Sequence, residues 1–298
     1  MSKNLSKKEF EILNLYATSN IKLTQREIEN KLSYSLGTIN KIVKDFTDDG
    51  ILKGGLITDK GYEILEPYRA KKAIFIAAGF GSRLVPITLN TPKPLVRVYG
   101  ERIIDGLIDA VLAIGINDII IVRGYLADQF DQLLYKYPMI KFIENPLFNE
   151  ANNISSAMVA RFYFENAYVL ESDLLVKNKN IIKKYHYQSD YLCSYTDRTD
   201  DWCFEVKDDI IANEKIGGIN CYQMKGISYW NSEDGRKLSN HIELAYNEPG
   251  GKELYWEQVP IVKYKNEYKI AINVCNMNDV IEIDTFNDLK KIDKTYDI

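Results

Sequence analysis

Two hydrophobic patterns divide the chain. In its first part, apolar residues recur at helical spacing, for example at Phe10, Leu13 and Tyr16, which predicts amphipathic helices. Further on, short continuous apolar runs alternate with helical patterns, which predicts a mostly parallel sheet with helices on both faces. We therefore expect a small helical domain over residues 1–69 and a doubly wound α/β domain over residues 70–298.

Three helices, a two-stranded hairpin and a closing helix are predicted for the first domain. Thr24 and Glu27 have the spacing of a capping box, which predicts the start of the second helix. The third helix is expected from about Ser35 to Asp48, and the glycine pair at 54–55 predicts the tip of the hairpin. This order resembles the winged helix-turn-helix of bacterial transcription regulators.

The resemblance implies that residues 33–44 would face the major groove of DNA. The residues expected there are Ser33, Ser35, Thr38, Asn40, Lys41 and Lys44. Residues 1–69 hold 11 Lys and Arg against 10 Asp and Glu, a weak balance for binding a phosphate backbone. A dimerisation role for this domain is therefore an equal alternative, which leaves a homodimer open.

A glycine-rich loop after the first apolar run of the second domain carries the clearest chemical signal. The run at 73–78 predicts a buried parallel strand, and Gly-Phe-Gly-Ser-Arg at 79–83 follows it. Glycines allow backbone N–H groups to approach an anion, and Arg83 and Lys93 supply positive charge. An ordinary strand-to-helix turn needs only the glycines, so the added cations favour a triphosphate-binding loop.

The full motif also includes Thr-Pro-Lys-Pro at 91–94 and resembles the nucleotidyltransferases that make nucleoside-diphosphate sugars and CDP-alcohols. That resemblance implies a nucleoside triphosphate substrate and pyrophosphate as a product. Asp173 follows the apolar strand at 167–170, and Asp284 ends a second strand-like segment. Although an Asp after a strand is often only a turn cap, two such carboxylates could bind Mg²⁺ together with phosphate oxygens.

Aromatic and acidic residues are mixed in the second half of the chain. All three tryptophans lie there, and acids flank Trp202 and the Tyr255-Trp256 pair, whereas apolar neighbours place Trp230 in the core. Aromatic faces beside carboxylates suit a quaternary ammonium, which cannot donate hydrogen bonds. The pattern predicts a pocket for a small cationic head group, with packing in the core as an equal alternative for Trp202, Tyr255 and Trp256.

With these segments included, residues 70–298 resemble the bacterial CTP:phosphocholine cytidylyltransferases. The resemblance implies that Arg83, Lys93, Asp173 and Asp284 are catalytic, with both aspartates as Mg²⁺ ligands. The implied nucleotide-binding residues are Ala77, Ala78, Gly79, Gly81, Ser82, Arg83, Lys93, Tyr125, Asn152 and Asn153. The implied acceptor-binding residues are Trp202, Glu253, Tyr255 and Trp256.

Two alternatives stay open at this point. Glu171-Ser172-Asp173 stands where the family is expected to have Asp-Ala-Asp, and Glu253 replaces an expected Asp. The longer acid at 253 leaves the head group open. Alternative acceptors to phosphocholine are 2-aminoethylphosphonate and phosphoethanolamine, whose primary ammonium would take a carboxylate partner such as Glu253 or Glu257. From another class, the protein could be a transcription regulator that senses CTP or CDP-choline.

The composition of the chain limits the kinds of partner and the cell compartment that we expect for the protein. The formal net charge is −4, so the whole protein offers no field for a polyanion, and no run of about 18 apolar residues predicts a membrane span. The start of the chain lacks the apolar segment of a signal peptide, so we expect a cytoplasmic protein. The four cysteines include no CxxC pair and there are two histidines, which argues against a zinc site.

Overall fold

A computed structural model describes residues 4–19 and 21–297. It divides into two compact units, the first comprising Met1–Arg69 with Tyr185–Tyr187 and the second comprising Ala70–Lys184 with Gln188–Ile298. The sequence pattern did not predict that residues 185–187 belong to the first unit. Tyr185 is buried in the core of that unit, and the Tyr187 ring lies 5.6 Å from the ring of Phe10.

The described residues of the first unit form four α-helices and a two-stranded antiparallel sheet. Its elements are α1 (Lys7–Ser19), α2 (Gln25–Leu32), α3 (Leu36–Asp48), β1 (Leu52–Lys53), β2 (Leu56–Ile57) and α4 (Asp59–Leu65). Thr24 and Glu27 make both hydrogen bonds of a capping box at the start of α2. The apolar faces of the helices meet in one core that includes Phe10, Leu13 and Phe46.

The polar residues predicted to face DNA lie at the surface of α3 and just before it. Asn40, Lys41 and Lys44 are exposed, whereas Thr38 is half-buried. The exposed Ser35 has a local structural role, because its hydroxyl accepts a hydrogen bond from the backbone N–H of Thr38 and caps α3. DNA binding by this surface stays a prediction.

The second unit is built on a seven-stranded sheet in the order β10-β12-β11-β8-β3-β6-β7. Its strands and helices are β3 (Lys72–Ile76), β4 (Arg97–Val98), β5 (Glu101–Arg102), α5 (Ile103–Ala113), β6 (Asp118–Arg123), β7 (Lys141–Glu144), α6 (Ile154–Ala160), β8 (Ala167–Glu171), β9 (Leu174–Val176), β10 (Asp190–Lys207), β11 (Ile210–Trp230), α7 (Ser232–Asn247), β12 (Ala271–Val274), β13 (Val280–Glu282) and α8 (Phe286–Ile292). The four neighbouring strands β8, β3, β6 and β7 are parallel.

Two hydrophobic clusters form the main core of this unit. One contains residues of α5, such as Leu107, and the other contains residues of α6 and α7, such as Ala157 and Leu238. The sequence analysis missed the long antiparallel pair β10–β11, whose strands are 18 and 21 residues long. Residues Ala127–Tyr135 form a 3-10 helix between β6 and β7. Among the described residues, none of the helices combines the length and apolar character needed to cross a bilayer.

Candidate active site

The glycine loop lies directly after β3, at the carboxyl end of the parallel strands. Gly81 has a φ of 62°, in the left-handed region that favours glycine. A Cβ atom at Gly81 would also lie 2.8 Å from the Cβ atom of Lys93, which is too close. The Thr88 hydroxyl donates a 2.9 Å hydrogen bond to the Gly81 carbonyl. The absence of a side chain at Gly81 therefore allows Lys93 to pack against the loop.

Asp173 and Asp284 are brought together by the short pair β9–β13. In this antiparallel pair Glu282 is opposite Leu174, and the N–H of Ile283 donates to the Asp173 carbonyl at 3.3 Å. Asp173 follows β8 and Asp284 follows β13, so both carboxylates reach the same edge of the fold. The pairing of β9 with β13 thus brings together two aspartates that are more than 100 residues apart in the sequence.

Lys93 lies between these two carboxylates. Its Nζ is 2.6 Å from Asp173 Oδ2 and 3.3 Å from Asp284 Oδ1, and Arg83 also donates to Asp284. Burial by itself lowers the pKa of Lys93, but the facing carboxylates of Asp173 and Asp284 outweigh it and the net pKa is raised. The four residues predicted as catalytic therefore meet in one charged cluster with a firmly protonated lysine.

Two further carboxylates, Glu171 and Glu282, join the cluster, and the sequence analysis assigned neither to the site. Oxygen atoms of Glu171, Asp173 and Glu282 all lie within 4.8 Å of one another. Burial, followed by the charges of Asp173 and Asp284, raises the pKa of Glu282 to about 8. The two-residue spacing of Glu282 and Asp284 is the signal that could have found it, since alternate residues of a strand share a face.

A cavity of about 620 Å³ opens beside this cluster. Its lining residues are Ile76, Ala77, Gly79, Phe80, Gly81, Ser82, Arg83, Lys93, Pro94, Asn153, Glu171, Ser172, Asp173, Asp201, Trp202, Glu214, Met224, Gly226, Tyr255, Glu257, Glu282 and Asp284. The volume is in the usual range for small-molecule sites. The cavity thus contains most of the predicted nucleotide-binding residues together with Trp202 and Tyr255.

Three predicted nucleotide-binding residues do not line the cavity and instead support its walls. The Tyr125 hydroxyl donates to the Thr88 carbonyl at 2.9 Å. Asn152 donates through Nδ2 to the Glu253 carbonyl at 3.1 Å. Ala78 is buried and accepts a 3.0 Å hydrogen bond from the N–H of Tyr125. These hydrogen bonds position the loops around the cavity, and contact of these three residues with nucleotide stays a prediction.

The assignment of Trp256 to the acceptor site is corrected by its position in the core. Its side chain is 1% exposed, and its ring lies 6.0 Å from each of the Trp230 and Phe164 rings. Glu253 is exposed and lies outside the cavity lining as well. By contrast, the rings of Trp202 and Tyr255 lie 5.6 Å apart, edge to face, in the cavity wall.

Two buried glutamates contribute further carboxylates to the same cavity. Glu257 is 4% exposed and Glu214 is 8% exposed. Burial raises the pKa of each carboxyl group to about 7. The charge of Glu214 raises the pKa of Glu257 further, whereas a hydrogen bond with Gln258 partly offsets the rise at Glu214. Oε1 of Glu257 and both carboxylate oxygens of Glu214 make no hydrogen bond of good geometry. Glu214 lies on β11, and no motif in the sequence marked it as a site residue.

The different positions of the two tryptophans predict different effects on stability. Trp256→Ala is expected to lower the free energy of unfolding by about 3–5 kcal/mol, because it opens a cavity in the core. Trp202→Ala is expected to lower it by less than about 1 kcal/mol, because that ring faces the open cavity. Urea denaturation followed by far-UV circular dichroism measures both, and equal losses would contradict the placement of Trp256 in the core.

Glu214 predicts a pH dependence of stability. Its folded pKa of about 7 lies above the usual value of 4.5, so its contribution is fully present below pH 4.5 and is lost as the pH rises through 7. We expect Glu214→Gln to reduce the fall in unfolding free energy over this window by up to about 3 kcal/mol. All three tryptophans lie in the second unit, so their fluorescence during urea denaturation reports on it. The same slope in both proteins would contradict the prediction.

Comparison with known proteins shows which class of enzyme the chain resembles. Residues 72–200 match the family described as nucleotidyl transferase. The 2-aminoethylphosphonate cytidylyltransferase of Lancefieldella rimae is 33% identical over 228 residues, which cover 75% of this chain and 92% of that protein. The choline-phosphate cytidylyltransferase of Streptococcus pneumoniae is 34% identical over 229 residues, 75% of this chain and 97% of that protein.

A solved structure extends the likeness to three dimensions. The CTP:phosphocholine cytidylyltransferase of Streptococcus pneumoniae matches with a TM-score of 0.70 at 29% identity, covering 76% of this chain and 99% of that one. The predicted α/β nucleotidyltransferase fold is therefore confirmed. The chain belongs to the nucleotidyl transferase family and, within it, to the cytidylyltransferases.

Proposed function

We propose that this chain transfers a cytidylyl group from CTP to a small zwitterion that carries a phosphate or phosphonate group and an amine. The observation that carries the proposal is the single cavity shared by the Arg83–Lys93 cation pair, the two aspartates and the Trp202 ring. Cations suit the phosphates of both substrates, while rings and carboxylates suit an amine. Membership in the cytidylyltransferases supports CTP as the donor.

In the proposed reaction an oxygen of the acceptor phosphate or phosphonate attacks the α-phosphorus of CTP. A new phosphorus–oxygen bond forms while the bond to the β-phosphate bridging oxygen breaks, and pyrophosphate leaves with that electron pair. The attacking oxygen is already ionised near neutral pH, so the reaction needs no strong general base. The work of the site is to align two anions and to offset their repulsion.

Lys93 and Arg83 supply positive charge for this purpose. Lys93 is buried and its raised pKa keeps it protonated, so it can hold a phosphate oxygen by a charge-assisted hydrogen bond. The Arg83 side chain is 66% exposed, which leaves it free to exchange Asp284 for a polyphosphate. Backbone N–H groups of the loop at 79–82 can approach the phosphates because Gly79 and Gly81 carry no side chains.

Asp173 and Asp284 would hold the Mg²⁺ ion that the sequence predicts. The donor set is all oxygen, which is the set that Mg²⁺ prefers, and Oδ1 of Asp173 is buried without a hydrogen-bond partner. The residues present therefore fit the ion. When bound, Mg²⁺ would neutralise charge on the polyphosphate. Glu282 would offer a further carboxylate oxygen beside the ion.

A sensor of nucleotides would not need this whole arrangement. A transcription regulator could bind CTP through Arg83 and Lys93 alone, without two convergent aspartates for a metal. The joint presence of Arg83, Lys93, Asp173 and Asp284 in one cluster therefore favours turnover over sensing.

A matrix of nucleotides and acceptors tests the proposal. CTP, UTP, ATP, GTP and dTTP would each be combined with phosphocholine, phosphoethanolamine, 2-aminoethylphosphonate and glucose 1-phosphate, with Mg²⁺ present. We expect pyrophosphate release that requires both CTP and an amine-bearing acceptor. Release with UTP or dTTP and the sugar phosphate, or no release with any pair, would contradict the proposal.

A further inference from the structure

Two buried glutamates, Glu257 and Glu214, line the same cavity as the rings of Trp202 and Tyr255. Glu257 is 4% exposed, its Oε1 has no hydrogen-bond partner, and its Oε2 accepts a long hydrogen bond of 3.5 Å from Asn153 Nδ2. Glu214 is also buried, with both carboxylate oxygens unpaired. Both side chains line the cavity. Three of the four carboxylate oxygens therefore accept no hydrogen bond of good geometry from the described part of the chain, and a ligand with N–H groups could supply these donors.

A buried carboxylate without a donor is costly, and the cost is removed when a cation donates hydrogen bonds to it. A primary ammonium offers three N–H donors that can be shared between two carboxylates. A trimethylammonium offers none, and its methyl groups would keep Glu257 and Glu214 from any hydrogen bond. Glu257 and Glu214 would therefore distinguish two head groups of the same charge by the number of N–H donors that each head group carries.

The aromatic side of the cavity supports the same choice. Quaternary ammonium groups are recognised by cages of several aromatic rings. Trp256, which the sequence analysis assigned to the acceptor site, packs in the core instead. The rings of Trp202 and Tyr255 lie edge to face in the cavity wall. One pair of rings is enough to cover the methylene groups of a short aminoalkyl chain.

We propose that the acceptor carries a primary ammonium, held by Glu257 and Glu214, and is a short aminoalkyl phosphate or phosphonate. This inference rests on the proposed cytidylyl transfer and names the substrate class of that same site. Lys93 and Arg83 line the same cavity as the glutamates, so one zwitterion can place its anionic end at these cations and its ammonium at the carboxylates. Glu257 and Glu214 are then residues that determine specificity.

A methylation series of acceptors tests the inference with the unmodified protein. Phosphoethanolamine, its N-methyl and N,N-dimethyl forms and phosphocholine differ only in the number of N–H donors, and 2-aminoethylphosphonate tests the phosphonate class. With CTP and Mg²⁺, we expect kcat/KM to fall with each methyl group and to be at least about tenfold lower for phosphocholine than for phosphoethanolamine.

Glu257→Gln separates recognition from a general loss of function. We expect it to lower kcat/KM for the primary ammonium acceptors by about 10- to 100-fold, mainly through KM, and to lower the value for phosphocholine by a clearly smaller factor, because phosphocholine loses no hydrogen bond. Glu214→Gln should act in the same direction, which keeps the test available if one variant fails to fold. Glu101→Gln, at an exposed position on β5, is the matched control and should change nothing.

The outcomes distinguish this inference from the proposed function. A preference of the unmodified protein for phosphocholine overturns the inference and leaves cytidylyl transfer intact. An equal loss for all acceptors in Glu257→Gln also overturns it, because it shows a structural role. Absence of CTP-dependent pyrophosphate release with every acceptor overturns the proposed function itself.

Discussion

Asp173→Asn is expected to lower the rate of CTP-dependent pyrophosphate release by about a thousandfold or more. Oδ2 of Asp173 accepts a hydrogen bond from Lys93 Nζ at 2.6 Å. Its Oδ1 is buried without a hydrogen-bond partner and is therefore available to Mg²⁺. An amide of the same shape keeps the packing but loses the negative charge that would bind the ion. Steady-state rates at saturating CTP and acceptor measure the effect.

The matched control for this variant is Asp208→Asn. Asp208 is exposed in the turn between β10 and β11 and does not line the cavity. Its rate should equal that of the unmodified protein, and both variants should keep far-UV circular dichroism spectra of the folded protein. A near-normal rate for Asp173→Asn with Mg²⁺ would show that this carboxylate is not a metal ligand.

Lys93→Met is expected to lower kcat by about a hundred- to a thousandfold, because a buried positive charge next to the phosphates is lost. The same change leaves Asp173 and Asp284 facing each other without their shared cation. We therefore expect the free variant to lose about 3 kcal/mol of stability without divalent ions. Its Mg²⁺ affinity in the absence of CTP should rise, because the ion no longer competes with the lysine.

Isothermal titration with Mg²⁺ and urea denaturation with and without the ion measure these effects. Lys141→Met is the control, since Lys141 forms an exposed ion pair with Asp118 and such pairs contribute little to stability. Weaker Mg²⁺ binding in Lys93→Met than in the unmodified protein would contradict the arrangement in which lysine and metal share the two aspartates.

The proposed function is compatible with a net charge of −4 because the side chains that line the cavity carry charges of both signs. Arg83 and Lys93 supply positive charge at the glycine loop, and the carboxylates of Glu214 and Glu257 line the same cavity. A zwitterion can satisfy both kinds of charge, whereas a sugar phosphate has no group to neutralise the buried glutamates. We therefore expect local charge, and not the total, to decide which substrate is used.

The sequence alone determined the strand and glycine loop at which we propose that phosphates bind. The strand, the glycine loop and Lys93 lie within about 20 residues, and their backbone requirements are local: a buried strand must be apolar, and Gly81 must lack a side chain. The alternation of strands and helices likewise predicted the parallel sheet, because burial on both faces leaves a continuous apolar run in each strand.

Only the tertiary structure decided which acidic and aromatic residues form the head-group site. Trp256 and Tyr255 are neighbours in a cluster of acids and rings, yet one packs against Trp230 and the other lines the cavity. Glu214 reaches the cavity from the long antiparallel strand β11, which the sequence pattern did not predict. Sequence patterns record which residues are polar or apolar, but the direction in which a side chain points depends on packing between segments far apart in the chain.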